Sequence, residues 1–430
     1  MKNLETFIIA GGEGKRFKSV STSPKILAKL GKSSLIDLIL KNLHSYNIKK
    51  TSFFIGKNKS FFLKYKNKKG IKLIEEKKLL GTSGCFSLIN KKNLEKNVLI
   101  IFGDILFDIN FSNFYKFHLK NNSDITILSH PSDHLFDSDI VETDNKNKVS
   151  KIFFKPHSKK MKFKNLTMAG IFIINKKLIK NIPPNKKHDF SKNFLKDSLK
   201  KNYRVFSYKT REYCKDLGTP ERFKKVNKDF FLKKHIKLKK ENKIKAIFLD
   251  RDGVLNVDKG PLQYSNPINF LPGVKNALTA LRKLDYLIIL ITNQSAVAKG
   301  FITINELEKS FNNLETVLSK SKFYFDGIYY CPHYPISGYK NENKKYKVFC
   351  LCRKPKPGMI FKATKDFNIN LKKSYFIGDT LRDYEAAKAA NVKPIILNKL
   401  NFKIVDYKYK NDLTAAVKYI KKNDSHKNSI

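Results

Sequence analysis

No apolar run in this chain approaches the roughly 20 residues that a membrane-spanning helix needs. The apolar residues 7–10 run straight into glycines, so a secretory signal is not expected at the N-terminus. Acidic residues are scarce, 37 against 87 lysines and arginines, which leaves a formal net charge of +50. That balance could serve nucleic acid or a membrane surface. The lysines, however, are spread over all 430 residues instead of gathering in one arm or stripe. Asn, Ile and Phe are abundant beside them, and this is the company an AT-rich genome encodes. The charge therefore reads as compositional drift, and no specific nucleic-acid or membrane partner is expected. Acidic, phosphorylated substrates would be attracted either way. Cysteine is sparse and odd in number, five in all, which argues against a disulfide framework. The expectation is a soluble cytoplasmic protein. A hydrophobic fraction of 41% is enough for real cores, and the length makes two or three domains the prior.

The G-x-x-x-x-G-K-[ST] phosphate loop is also missing, and there is no clean dinucleotide fingerprint. Instead, residues 6–10 read as a buried strand followed by Gly11-Gly12-Glu13-Gly14-Lys15-Arg16 and then Ser23-Pro24-Lys25. Glycines after a first strand let backbone N–H groups approach a phosphate closely. Arg16 and Lys25 would add charge to hold it. Further pieces follow in order. Glu75 precedes Leu80-Gly81-Thr82-Ser83-Gly84, and an apolar strand at 98–102 ends in Gly103-Asp104. Ala169-Gly170-Ile171-Phe172 opens another apolar run, and Asp216-Leu217-Gly218-Thr219-Pro220-Glu221 closes the set. Together these resemble the sugar-1-phosphate nucleotidyltransferase family, including its heptose 1-phosphate guanylyltransferases, over about residues 4–230.

The resemblance implies a Rossmann-like mixed sheet. It implies that Gly11, Gly12, Gly14 and Arg16 cradle a nucleoside triphosphate and that Lys25 sits at the reacting phosphates. Gly81 would border the base, and Asp104 and Asp216 would hold Mg²⁺. The phosphate of a sugar 1-phosphate would attack the α-phosphorus, and pyrophosphate would leave. Positioning and charge neutralisation supply most of such catalysis. One departure stands in mid-domain, where Phe154-Lys155-Pro156 replaces the family's frequent Glu-Lys-Pro. Asp104 and Asp216 also have plainer readings, as a strand-end turn and a helix cap.

After a lysine-laden stretch at 228–243, read as a terminal helix leading into a linker, the second half is organised around Lys245-Ala246-Ile247-Phe248-Leu249-Asp250-Arg251-Asp252-Gly253. An apolar strand ends in a carboxylate, and a second carboxylate follows two residues later. In an open α/β sheet, ligands bind outside the carboxyl ends of the strands. Two carboxylates so close repel each other unless a cation neutralises them. D-x-D-G equally suits a polar turn. Downstream, helical spacing at 272–284, 305–318 and 383–390 alternates with apolar strands at 286–291, 375–379 and 394–397. That alternation predicts a parallel sheet. Asp250, Asp252, Thr292 and Asp379 all fall at strand carboxyl ends. Finally, Cys331-Pro332-His333 and Cys350-Leu351-Cys352 supply three thiols and one imidazole, a set suited to tetrahedral structural Zn²⁺ with no open position. The alternative is four buried side chains. This loop ends at Arg353-Lys354, so a metal there would also position Lys354.

The order D-x-D-G, strand-end Thr, Lys, G-D resembles the haloacid dehalogenase superfamily of phosphatases. The resemblance implies Asp250 as a nucleophile that takes the phosphoryl group and Asp252 as the acid and base. Thr292 and Lys354 would hold the phosphoryl oxygens. Asp250, Asp379 and the carbonyl of Asp252 would bind Mg²⁺, while Asp383 reads as a helix-cap or supporting residue. Within the superfamily, residues 244–420 resemble the D-glycero-D-manno-heptose 1,7-bisphosphate 7-phosphatases through Thr292-Asn293-Gln294-Ser295, the 326–333 stretch and Cys352-Arg353-Lys354-Pro355. That implies substrate contacts from Asp258, Lys259, Gly260, Asn293, Gln294, Ser295 and Arg353. Thr380 and Pro261 depart from the Lys and Tyr common in that family. Histidinol-phosphate phosphatases share the zinc loop and are the alternative for this half.

The expected architecture is α/β with two Rossmann-like domains. An N-terminal nucleotidyltransferase mixed sheet spans 1–232 and a basic linker 233–243. A haloacid dehalogenase-like parallel sheet with a zinc loop spans 244–422, and a polar tail 423–430. The expected function is bifunctional, with Mg²⁺ and Zn²⁺. A sugar bisphosphate loses one phosphate, and the remaining sugar 1-phosphate is activated by a nucleoside triphosphate, giving a GDP-heptose for surface polysaccharide. The competing class is a basic nucleic-acid-binding protein on inert α/β domains.

Overall fold

A computed structural model describes residues 4–397 and 408–425, apart from 13, 18, 20, 22, 57–58, 159, 259 and 261–267. The chain forms two compact units. The first contains Met1–His130, Phe136–Lys159 and Leu166–Lys240. The second contains Glu241–Ile430 together with two short stretches from the first half, Pro131–Leu135 and Lys160–Asn165.

In the first unit, runs of β-branched and aromatic residues build a nine-stranded mixed sheet. Asn97–Phe102, Leu4–Ile9, Thr51–Ile55 and Ile71–Glu75 run parallel. Thr167–Asn175 turns the sheet antiparallel against Asn97–Phe102 on one side and Ile125–His130 on the other. Strand periodicity splits the apolar residues between two cores. Leu99 and Ile101 join one buried cluster, while Val98 and Ile100 join the other. Phe154 packs against this second cluster, so the residue that departs from the family pattern serves as a core side chain. The predicted strand before the glycine loop is Leu4–Ile9, and the helix predicted near residue 228 is Pro220–Phe231, with a short turn of helix at Lys234–Lys237 inside the presumed linker.

In the second unit, six strands are all parallel, in the order Gly327–Cys331, Leu287–Asn293, Ala246–Leu249, Tyr375–Gly378, Lys393–Leu397, Lys408–Lys410. Ala246–Leu249 lies in the middle and is buried on both faces, which is why it reads as an unbroken apolar run. The predicted helices appear as Val274–Leu281, Ile304–Ser319 and Leu381–Ala389. Two strands escape sequence reading, Gly327–Cys331 and Lys408–Lys410. The last helix, Leu413–Ser425, runs into the stretch read as a polar tail. Asp424 there meets Lys245 Nζ at 2.9 Å and accepts from the Tyr286 hydroxyl at 2.8 Å.

The two inserted stretches are held within the second unit by specific bonds. Phe163 N donates to Thr316 Oγ1 at 2.8 Å and Asn165 N to Glu315 Oε2 at 3.0 Å, both on helix Ile304–Ser319. The Asn165 side chain in turn bonds both backbone groups of Ser132. Among the described residues no helix is long and apolar enough to cross a membrane.

Candidate functional site

The second unit gathers its carboxylates where strands Ala246–Leu249 and Tyr375–Gly378 end. Lys354 Nζ lies 2.8 Å from Asp250 Oδ2 and 2.5 Å from Asp383 Oδ1, and only 3% of its side chain is exposed. A lysine this buried stays charged only between paired anions. Desolvation works against that charge, but Asp250 and Asp383 outweigh it and raise the lysine's basicity. Burial pushes Asp250 above the usual carboxylate range, with Lys354 pulling against it. Asp379 is pushed up to about 6, first by burial and then by Asp383.

Asp250, Asp379 and Asp383 each offer an oxygen, all within 4.8 Å of one another. Their availability differs. Asp383 spends Oδ1 on Lys354, and its Oδ2 accepts from the Asp379 and Thr380 amides and the Thr380 hydroxyl. It caps helix Leu381–Ala389 in a capping box with Thr380, as its helix-cap reading predicts. Asp379 Oδ1, by contrast, is buried without a hydrogen-bond partner. An orphaned carboxylate oxygen beside Asp250 fits a hard divalent cation. Gly253 adopts φ +76°, and a Cβ there would come within 1.9 Å of Asp379 Oδ2, so the turn after Asp252 admits only glycine.

Asp252 has partners of its own. Arg251 meets it through Nε at 2.9 Å, Asn256 Nδ2 at 2.9 Å and Gln294 Nε2 at 3.0 Å. Gln294 also donates to Thr292 Oγ1 at 2.7 Å, which ties the ends of two neighbouring strands together. Asn293 exchanges two 3.0 Å bonds with the Lys354 backbone. Ser295 begins the turn beyond, its carbonyl accepting from Lys299 N. Asp258 and Gly260 are exposed and bond each other, and among the described residues nothing ties them to the carboxylates. Lys259 lies outside the described residues. Sequence reading missed the holding roles of Arg251 and Asn256, which follow the pattern D-R-D-x-x-x-N only once the loop is seen folded back.

Cys331, His333, Cys350 and Cys352 converge, with their ligand atoms within 4.8 Å of one another. The sulfur–sulfur approaches of Cys352 to Cys331 and to Cys350 are 3.2 Å, and that of Cys331 to Cys350 is 3.5 Å. These are far longer than a disulfide's roughly 2.05 Å. They are close to the roughly 3.8 Å edge of a tetrahedron with zinc–sulfur bonds of about 2.3 Å. A Cys₃His set of this compactness can bind zinc. Arg353, next in the chain, donates to the His333 carbonyl at 3.2 Å and carries on into Lys354.

In the first unit the glycine loop and the two candidate aspartates meet at one end of the sheet. Lys25 Nζ lies 3.5 Å from Asp104 Oδ2. Strand Tyr213–Asp216 pairs antiparallel with Ile105–Asp108, which sets Asp216 opposite Ile105 and beside Asp104. Desolvation, joined by the charge of Asp216, raises the Asp104 carboxyl. Gly11 packs on Glu76, where a Cβ would sit 3.2 Å from Oε2. Glu76 is buried and pushed up to about 7 by that burial, whereas Glu75, noted in the sequence, points out to Lys59. Gly12 is exposed, and Gly14 takes φ +60° over Lys25. Gly81, at φ +82°, lies so close to His188 that its loop is pinned there. Arg16 does not join Lys25. Its guanidinium stands 3.9 Å from Asp137, which also receives Lys155 at 3.3 Å and Arg222 at 2.6 Å. Arg222 bonds Asp216 as well, at 2.9 Å. Asp137 carries no local sequence signal, and Arg222 stands only one turn into the helix after the D-L-G-T-P-E stretch.

Two sites of phosphate chemistry on two α/β sheets define an enzyme with two activities, a phosphatase and a nucleotidyltransferase. Residues 5–231 match the nucleotidyl transferase family and residues 135–391 the haloacid dehalogenase-like hydrolases, and the chain belongs to both. Over 154 residues it is 42% identical to the D-glycero-beta-D-manno-heptose-1,7-bisphosphate 7-phosphatase of Haemophilus ducreyi, covering 36% of this chain and 82% of that protein. The 7-phosphatase of Salmonella typhi is 39% identical over 154 residues, 36% of this chain and 80% of that protein. The crystal structure of HddC from Yersinia pseudotuberculosis aligns with 53% of this chain and 99% of its own at 24% identity and a TM-score of 0.45.

Proposed function

We propose that the chain removes the 7-phosphate of D-glycero-D-manno-heptose 1,7-bisphosphate and then transfers GMP from GTP to the heptose 1-phosphate that remains. The observation that carries this reading is the Asp250–Lys354–Asp383 cluster, in a chain that over 154 residues is 42% identical to a heptose bisphosphate 7-phosphatase. Asp250 is the nucleophile. Its carboxylate oxygen attacks phosphorus, the sugar oxygen departs, and an aspartyl phosphate is left. Asp252, oriented by Arg251, Asn256 and Gln294, protonates the departing oxygen and then takes a proton from the attacking water. Lys354 and Thr292 hold the phosphoryl oxygens, and Asp383 positions Lys354. Asn293, Gln294, Ser295 and Arg353, with the 258–260 stretch, are the substrate contacts. Asp250, Asp379 and the Asp252 carbonyl would hold Mg²⁺, which neutralises the phosphoryl oxygens. Cys331, His333, Cys350 and Cys352 would hold Zn²⁺ as a structural centre that fixes the loop leading to Lys354.

In the first unit, Gly11, Gly12, Gly14 and Arg16 receive the triphosphate, Gly81 borders the base, and Lys25 meets the reacting phosphates. Asp104 and Asp216 would hold Mg²⁺. The two halves then act in sequence, since removal of the remote phosphate leaves the sugar 1-phosphate that the first unit consumes. Incubation with the heptose bisphosphate, Mg²⁺ and each nucleoside triphosphate, with products identified by mass, tests the reading. A nucleotide-linked heptose formed with GTP is expected. A dephosphorylated sugar lacking its anomeric phosphate would refute the order of steps.

A further inference from the structure

Asp137 has no part in the chemistry proposed for the first unit, yet three cations converge on its carboxylate. Arg222 Nη2 lies 2.6 Å from Oδ2, Lys155 Nζ 3.3 Å from Oδ1, and Arg16 Nη1 3.9 Å from Oδ2. The local chain explains how Lys155 comes there. Strands Ile140–Thr143 and Val149–Phe153 pair antiparallel with Phe153 opposite Ile140, which brings residues 137–139 beside 155–157. Lys155 N donates to Asp139 Oδ1 at 3.1 Å, and Lys155 Nζ donates to the Asp137 carbonyl at 3.0 Å. His157 Nε2 closes the same turn, 2.7 Å from the Ser138 carbonyl. Three like charges brought to one point repel unless an anion lies among them. Asp137 is that anion. Burial would raise its carboxyl, but Lys155 and Arg222 outweigh burial and hold it below its ordinary value.

The three cations are not held alike. Arg222 also bonds Asp216 at 2.9 Å, and its side chain is only 19% exposed, so it is fixed from two sides. Lys155 is 41% exposed and Arg16 60%, and Asp137 itself is 47% exposed. Ion pairs open to water contribute little and exchange readily. A phosphate brings more charge and more acceptor oxygens than a carboxylate, so it is the stronger partner for both. We propose that Asp137 is a place-holding anion that keeps Arg16 and Lys155 gathered beside the glycine loop and yields them to the phosphates of the nucleoside triphosphate. The place-holder rests on the nucleotidyltransferase reading of the first unit. Asp137 thereby competes with the triphosphate, and it recaptures the same cations as pyrophosphate leaves. A purely supporting role predicts the opposite sign: without Asp137 the cations would scatter and phosphate would bind more weakly.

The test uses the full chain with Mg²⁺ at fixed ionic strength. Nucleotide-linked heptose is measured from supplied heptose 1-phosphate and GTP, or whichever triphosphate the wild type accepts. For Asp137→Asn, which keeps the shape and removes the charge, the KM for the triphosphate should fall about 3- to 30-fold, the range set by two exposed ion pairs that no longer compete. Inorganic pyrophosphate, which carries phosphates without base or sugar, should inhibit more tightly by a similar factor. The kcat should not rise, since a product held more tightly leaves no faster. Asp137→Glu restores the competing charge and should stay near wild type. If Asp137→Asn melts below wild type, Asp137→Ser is read in its place. A triphosphate KM unchanged or raised in the folded variant, beside normal wild-type turnover, overturns the place-holder alone. Wild-type enzyme that forms no nucleotide-linked heptose from any triphosphate sinks the nucleotidyltransferase reading and the place-holder with it.

Discussion

A single carboxylate can hold a strand end in place when its cations are arranged around it. Asp124, with 4% of its side chain exposed, receives Lys177 at 2.8 Å and the Arg204 amide at 2.9 Å, besides the Arg204 guanidinium. Desolvation would raise it, but the bonds from Arg204 and Lys177 prevail and hold it at about 2. That is below the unfolded value of 3.8, so the stabilisation is present above pH 3.8 and is lost as pH falls through about 2. Asp124→Asn should cost about 1–2 kcal/mol at pH 7, allowing for the solvent around both cations. The deficit, read as a shift in urea midpoint, should shrink at pH 3; an equal deficit at both pH values would exclude the charge as its source. At this scale the sequence is legible where a residue sits at the end of an apolar run. Asp250, Asp379 and Asp104 follow buried strands, and such a position is recognisable without a structure. Asp137 and Glu76 were not legible, because what matters about them is which distant side chains they meet or how deeply they are buried.

At the scale of elements, the loop of Cys331, His333, Cys350 and Cys352 shows why motif and strand can be read separately. The C-x-H pattern was plain, but strand Gly327–Cys331, which delivers Cys331 to the sheet edge, has only half-buried residues before the cysteine and so lacks a core-strand signature. Cys350→Ser should lower bound zinc, by elemental analysis, from about one per chain and lower thermal stability with it, since metal binding and loop ordering are coupled. Protein purified without chelator and free of zinc would end that expectation. Helix Ile304–Ser319 supplies a pH-dependent element. Burial, opposed by the Asn165 amide, pushes Glu315 up to about 7 from 4.5. Its contribution to stability is therefore complete below pH 4.5 and is lost as pH rises through about 7. Wild type should lose on the order of 2 kcal/mol between pH 5 and pH 8 from this group. Glu315→Gln should flatten that slope in urea titrations, and an unchanged slope would remove Glu315 as its cause.

At the scale of the molecule, the two sets of candidate acidic residues lie on separate sheets. Asp250→Asn should abolish phosphate release and leave nucleotidyl transfer from supplied heptose 1-phosphate intact. Asp104→Ala and Asp216→Ala should each stop pyrophosphate release while phosphatase turnover continues. Loss of both activities in any of the three would show that the halves do not work independently. The two sheets were legible from alternating strands and helices, but the make-up of the second unit was not, since nothing local distinguishes 131–135 and 160–165 from other loops. Those stretches also bear on how the chain is made. The amides of Phe163 and Asn165 find their partners 153 and 150 residues later. At roughly 5–20 residues per second, translation leaves them facing water for on the order of 10 s to half a minute. The ribosome thus releases every strand of the nine-stranded sheet before helix Ile304–Ser319 exists. A gene cut at codon 240 would encode that whole sheet and yet strand two loops that only the rest of the message can satisfy.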